Sequence, residues 1–236
     1  MKAIQASFFQ MTMILRRDMM LFVCCLAPIP AGFFFRFAIP FLESLLTEGF
    51  HREAILSPYY KLMDILFAVL SPALFCFVSA MVSLEEADEK TAVYLFVTPL
   101  TKTGYLAARF GLPSAAAFFA TCLLLPVFKL TALSPLILFL LAAGGALQGM
   151  IVALLVITIS SNKLEGMAAA KLSMLTVFGA AIPFFLRSNL QYFLSPLPAF
   201  WIGKAVLQDS PLFMLPALVL SALWICVLLK GNLRKA

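Results

Sequence analysis

EEADEKTAVYLFVTPLTKTGYLAAR, residues 85–109, is the longest hydrophilic break in an otherwise apolar chain of 236 residues. Four carboxylates open it (Glu85, Glu86, Asp88 and Glu89). An apolar patch from Val93 to Val97 follows, and Thr98-Pro99-Leu100-Thr101-Lys102 leads out towards Tyr105. This order predicts a short amphipathic helix, a turn, and a return into apolar surroundings. The acids are expected in the first turn of that helix, where negative side chains complement the helix dipole.

Outward from this stretch the composition settles the class. Hydrophobic residues make up 63% of the chain and charged residues 12%, against roughly 45–50% and about 25% in soluble domains. With a mean hydropathy of +1.03, the chain is predicted to be an all-α integral membrane protein. Apolar runs long enough to cross a bilayer fall at residues 19–35 or beyond, 60–83, 104–128, 135–159, 167–186 and 212–229. Ahead of them, residues 1–18 put Ile4, Phe8, Met11 and Leu15 on one helical face, the pattern of an interfacial helix. This segment is expected to be retained, because no small-residue cleavage site follows Arg16-Arg17.

The connections are less apolar. Residues 43–59 carry Glu43, Glu48, His51, Arg52 and Glu53 and are expected to form an exposed loop. Residues 187–210, with Pro196, Pro198 and Trp201, are expected to form a broken or re-entrant segment, and residues 160–166 (SSNKLEG) a second short loop. Pro72 is expected to bend the second span. On the fourth, Gly145 and Gly149 form a small-residue face that lets another helix approach closely, and Gln148 is expected to bond a neighbouring helix.

Six spans place both termini on one side. That side carries Lys2, Arg16, Arg17, Lys90, Lys102, Arg109, Lys163, Lys171, Lys230, Arg234 and Lys235, against Arg36, Arg52, Lys61, Lys129, Arg187 and Lys204 on the other. The positive-inside bias makes the first group cytosolic, and with it residues 84–103. A net charge of +6 is then a matter of orientation and lipid headgroups, with no nucleic-acid partner expected.

Chemistry is sparse. There is no GxxxxGK[ST] loop for ATP, no HExxH, no GxSxG and no paired-cysteine zinc pattern. The five cysteines all lie in apolar runs, and the single histidine, His51, has no partner of its own type. Glu85-Glu86 could serve an intramembrane enzyme only with histidines that are missing, so neither catalytic nor metal-binding residues are expected.

Three stretches carry a resemblance. LFVTPLTKTGYLAARF after the acidic cluster resembles the inner loop of ABC type-2 permeases, in which a Thr/Ser-Pro-Leu turn precedes a tyrosine at the third span. SNKLEGMAAAKL, residues 161–172, is similar to the loop between the fourth and fifth spans of drug-export permeases, and residues 196–201 resemble the proline- and tryptophan-bearing segment before the last span. The resemblance implies one permease domain over residues 1–236. This domain would be half of a homodimer or pseudo-dimer that lines an export path and pairs with separate ATPase subunits, on which ATP and magnesium would sit. It implies that Glu85, Glu86, Asp88, Glu89, Thr98, Pro99, Lys102 and Tyr105 couple to the ATPase, with Asn162, Lys163 and Glu165 as a second contact. Movement would pass through the second span at Pro72 in an alternating-access cycle. The alternatives are a non-transporting anchor or immunity-type protein and an intramembrane enzyme.

Overall fold

The computed structural model describes residues 2–91, 101–186 and 188–235, leaving aside the side chains of residues 2–6, 102 and 233–235. Thr98 and Pro99 lie outside the described residues. The described chain is helical with no strand, as bilayer hydrocarbon requires of a chain that must satisfy its backbone polar groups internally. An N-terminal helix, Lys2–Arg17, precedes six helices long and apolar enough to cross a membrane: Met19–Phe50, Ser57–Asp88, Thr103–Phe128, Pro135–Ile159, Lys163–Phe185 and Pro211–Asn232.

The second and fourth spans form the centre, with 72% and 67% of their apolar stretches inside the protein against 17% for the first span and 22% for the sixth. Their contact depends on missing side-chain volume. A Cβ on Gly145 would sit 2.2 Å from the Ala68 carbonyl oxygen, and one on Gly149 would sit 2.8 Å from that of Pro72. Pro72 has no N–H to give to Ala68 four residues earlier. The carbonyl left without its helical donor is thus the one that Gly145 approaches. The helix Tyr60–Asp88 nevertheless runs unbroken through Pro72. Gln148 on the fourth span donates to Thr176 Oγ1 on the fifth (2.9 Å).

Prolines also explain the irregular turns. The π turn Phe34–Ala38 ends two residues before Pro40, which cannot donate to the carbonyl of Arg36. A second π turn, Ala107–Gly111, ends two residues before Pro113, which cannot donate to that of Arg109. There Ser79 Oγ donates to the Arg109 carbonyl instead. A 3-10 stretch, Leu175–Ala181, precedes Pro183 in the fifth span.

The first span is longer than expected. Helix Ile39–Phe50 continues through Glu43 and Glu48, and His51 closes it in the left-handed conformation at φ 50°. Glu43 is not free in solvent: its carboxylate accepts the N–H groups of Ile55 (3.0 Å), Leu56 (2.6 Å) and Ser57 (3.2 Å). The exposed loop is therefore shorter than residues 43–59, because a charged residue can remain helical when it caps the connection that follows.

Between the fifth and sixth spans lie a 3-10 turn, Asn189–Leu194, and a helix, Pro198–Leu207. At about 15 Å the helix is too short to cross, yet Phe200, Ile202 and Val206 are fully buried. Gly203 lets it press on the fifth span, where an added Cβ would lie 2.1 Å from the Ala180 carbonyl oxygen. The Pro196 carbonyl accepts from Trp224 Nε1 (3.1 Å), well inside the sixth span. On that span Leu215, Val219, Leu223 and Val227 form an exposed apolar stripe at four-residue spacing.

Candidate functional site: a charged junction at the end carrying the termini

The acidic cluster belongs to the end of the second span, not to the start of a separate helix. Helix Tyr60–Asp88 includes Glu85, Glu86 and Asp88, with Glu89 as its C-cap and Lys90 beyond it at φ 58°. The polar boundary of the sequence is thus not the helix boundary, since the inward-facing acids keep the backbone helical by finding cations. They need them, because carboxylates at a helix C-terminus oppose the dipole.

Glu86, expected in the first turn of a separate helix, is buried in the last turn of the second span at 4% exposure, against Arg109 at 0%. Arg109 Nε donates to Glu86 Oε2 (3.0 Å) and its Nη2 to Glu86 Oε1, a forked pair of the geometry that makes arginine–carboxylate contacts strong. Tyr105 Oη donates to the same Oε2 (2.8 Å). Arg109 Nη1 donates to the Ser7 carbonyl (2.8 Å), which fastens the N-terminal helix to the second and third spans. The π turn at residues 107–111 holds Arg109 here, and π turns recur at functional sites.

Lys163 makes a second knot. Its Nζ donates to Asp18 Oδ2 (3.0 Å) and Glu85 Oε2 (2.9 Å), and its backbone N–H to Asp88 Oδ2 (2.9 Å). Asn162 caps the fifth span by accepting the N–H of Glu165 (2.9 Å), whose carboxylate accepts that of Ser161 (2.8 Å), a reciprocal arrangement close to a capping box. Asp18 also caps the first span, accepting from Met20 N (3.0 Å) and Leu21 N (3.2 Å). At the same end Asn232 of the sixth span donates to Thr158 of the fourth (2.8 Å).

A cavity of ≈ 470 Å³ opens between the N-terminal helix and the second span, lined among others by Arg17, Asp18, Glu85, Glu86 and Glu89. Asp88 and Glu89 are exposed. Of the residues expected to couple, Glu86 and Tyr105 meet in one buried cluster. Glu85 and Asp88 meet Lys163, and Glu89 faces the cavity. Gly145 and Gly149 lie deeper, at the contact of the second and fourth spans. Arg109 and Asp18 were not expected as partners in this network. The only sequence signal for either is a charge beside an apolar run.

Asp18 lies just outside the first span, and the hydrogen bond from Lys163 is the main cause that holds its carboxyl below the ordinary 3.8, against a smaller opposing effect of burial. A carboxylate depressed on folding adds stability above its unfolded pKa, and this is lost as pH falls through the folded value. Acidifying purified protein from about pH 5 to about pH 3 should thus lower its melting temperature by more than it lowers that of Asp18→Asn. Identical acid profiles for the two proteins would refute the assignment.

A family described as Fluoroquinolones export permease protein Rv2686c-like matches residues 12–230. The chain belongs to this family. The match takes in the first five spans, nearly all of the sixth, and Asp18, Glu85, Glu86, Arg109 and Lys163 of the junction. Among its relatives are the Fluoroquinolones export permease proteins MT2760 and Rv2686c of Mycobacterium tuberculosis, from strains CDC 1551 / Oshkosh and ATCC 25618 / H37Rv. Each is 28% identical over 196 residues, covering 80% of this chain and 75% of its own. No solved structure matches. As a member of a permease family with six apolar helices, the chain is a multi-pass membrane protein and a transport subunit rather than an enzyme.

Proposed function

We propose that this chain is the ABC type-2 permease subunit of an ATP-driven exporter of fluoroquinolone-like compounds. The observation that carries the reading is the export-permease family match across residues 12–230. The substrate class follows the names of the mycobacterial relatives. Two copies, or one copy and a related chain, line the path, since six helices rarely enclose one alone. Separate ATPase subunits hold ATP and magnesium and dock at the junction end, and the excess of cations at that end supports a cytosolic position for it.

The junction's wiring supports that docking. A push on the exposed acids at the end of the second span reaches the N-terminal helix through Arg109 and the fifth span through Lys163. It reaches the fourth span through the backbone contact at Pro72. A transition of this kind needs rigid elements that move together, and the forked Glu86–Arg109 pair makes the second and third spans one such element.

The test is transport in inside-out vesicles that contain the chain and its ATPase partner. A fluorescent fluoroquinolone should accumulate with ATP and not with a non-hydrolysable analogue. Accumulation that is equal with both, or that persists without the ATPase, would refute an ATP-driven exporter.

A further inference from the structure

Lys204 is 6% exposed and stands among aromatic rings at the end where the second span begins, far from the junction. Its Nζ lies 4.2 Å from the ring centroid of Tyr192, 5.1 Å from Phe213, 5.6 Å from Trp201 and 6.0 Å from Phe200. An ammonium has three donors. Here one goes to Tyr192 Oη, and among the described residues no carboxylate pairs with the ion; Asp209, five residues on, pairs with Lys61.

A cation withdrawn from water is costly unless it is paired. Aromatic faces recover part of that cost, but they leave the positive charge uncancelled. The box itself is built firmly on one side. Trp201 Nε1 donates to the Ser195 carbonyl (2.8 Å), and Trp201 stacks on Phe213 at an interplanar angle of 17°. The wall formed by Tyr192 is different. Tyr192 is 44% exposed and sits on the 3-10 turn Asn189–Leu194, none of whose residues is buried.

From this geometry we propose that Lys204 receives the carboxylate of an aromatic acid, which takes the place of the Tyr192 hydroxyl while its ring system lies against the aromatic walls. The inference rests on the export reading above and deepens it. A fluoroquinolone carries a carboxylate on a flat fused ring, which is the pairing of charge and surface that this box lacks. The substrate class recognised here is therefore the planar aromatic acid. Neutral or esterified analogues lose the charge-assisted hydrogen bond.

The test measures binding of a fluoroquinolone and of its methyl ester to the full chain in nanodiscs of zwitterionic lipid, by ligand fluorescence. Lys204→Gln should weaken binding of the acid by about tenfold or more, the loss of a charge-assisted hydrogen bond, and leave the ester unchanged. Lys204→Arg should bind the acid nearly as wild type does. If Lys204→Gln binds the acid as tightly as wild type does, or loses acid and ester in equal measure, the site is overturned while the export reading stands. If wild-type protein binds neither compound, the fluoroquinolone reading falls and the site with it. A third arm replaces part of the lipid with phosphatidylglycerol. Loss of acid binding in that arm would assign Lys204 to lipid phosphate and overturn a drug site, and unchanged binding supports it.

Discussion

Arg109→Met should destabilise the bundle by about 3–5 kcal/mol, the usual consequence of removing one partner of a buried ion pair. The loss goes beyond one contact. Glu86, at 4% exposure, would be left with only the Tyr105 hydroxyl on its carboxylate among the bonds described above. The Ser7 carbonyl would lose the guanidinium donor that ties the N-terminal helix down. The double variant Glu86→Gln/Arg109→Met removes both charges and should recover a large part of the loss, since neutral replacement of a buried pair is often tolerated. Thermal unfolding in mild detergent checks both. Equal melting temperatures for wild type and Arg109→Met would mean that the buried pair does not hold these helices together.

The second large effect is expected at Glu89, and there it should spare the fold. Glu89 is exposed at the rim of the cavity, whereas Glu86 is occupied by Arg109. Glu89→Lys should keep its melting behaviour, as exposed substitutions usually stay within about 0.5 kcal/mol. It should still weaken capture of the ATPase by about tenfold, or ~1.4 kcal/mol, and reduce ATP-driven export. Glu86→Lys would not test the same thing, because it sets a lysine against Arg109 and damages the junction itself. Co-purification at matched expression separates the two variants. Capture of the ATPase by Glu89→Lys at wild-type strength would remove Glu89 from the docking surface.

The spans were legible because the bilayer imposes length and hydropathy on them. The fourth, Pro135–Ile159, is bounded in the sequence by Ser134-Pro135 and by Ser160-Ser161. The contact at Gly145 and Gly149 could also be read, since only missing side chains allow backbones so close. What could not be read was the direction of charged side chains. Glu85 and Glu86 are adjacent and identical in type, yet one turns to Lys163 and the other to Arg109, because helical geometry sends neighbours about 100° apart. Which direction is buried depends on partners 23 and 78 residues away in sequence. The same limit hid Glu43, whose carboxylate caps a loop while its charge implied solvent. Lys204 entered the sequence reading only as one of the outward cations, and only the fold gathers four rings around it.

The ATPase is expected to act at the junction end. A photoreactive amino acid placed at position 89, and in a separate protein at position 193 on the exposed 3-10 turn of the opposite end, tests this in cells that produce the ATPase partner. Irradiation should yield an adduct from position 89 with a protein that mass spectrometry identifies by its nucleotide-binding loop, and none from position 193. An ATPase adduct from position 193 with none from position 89 would contradict both the orientation and the docking site.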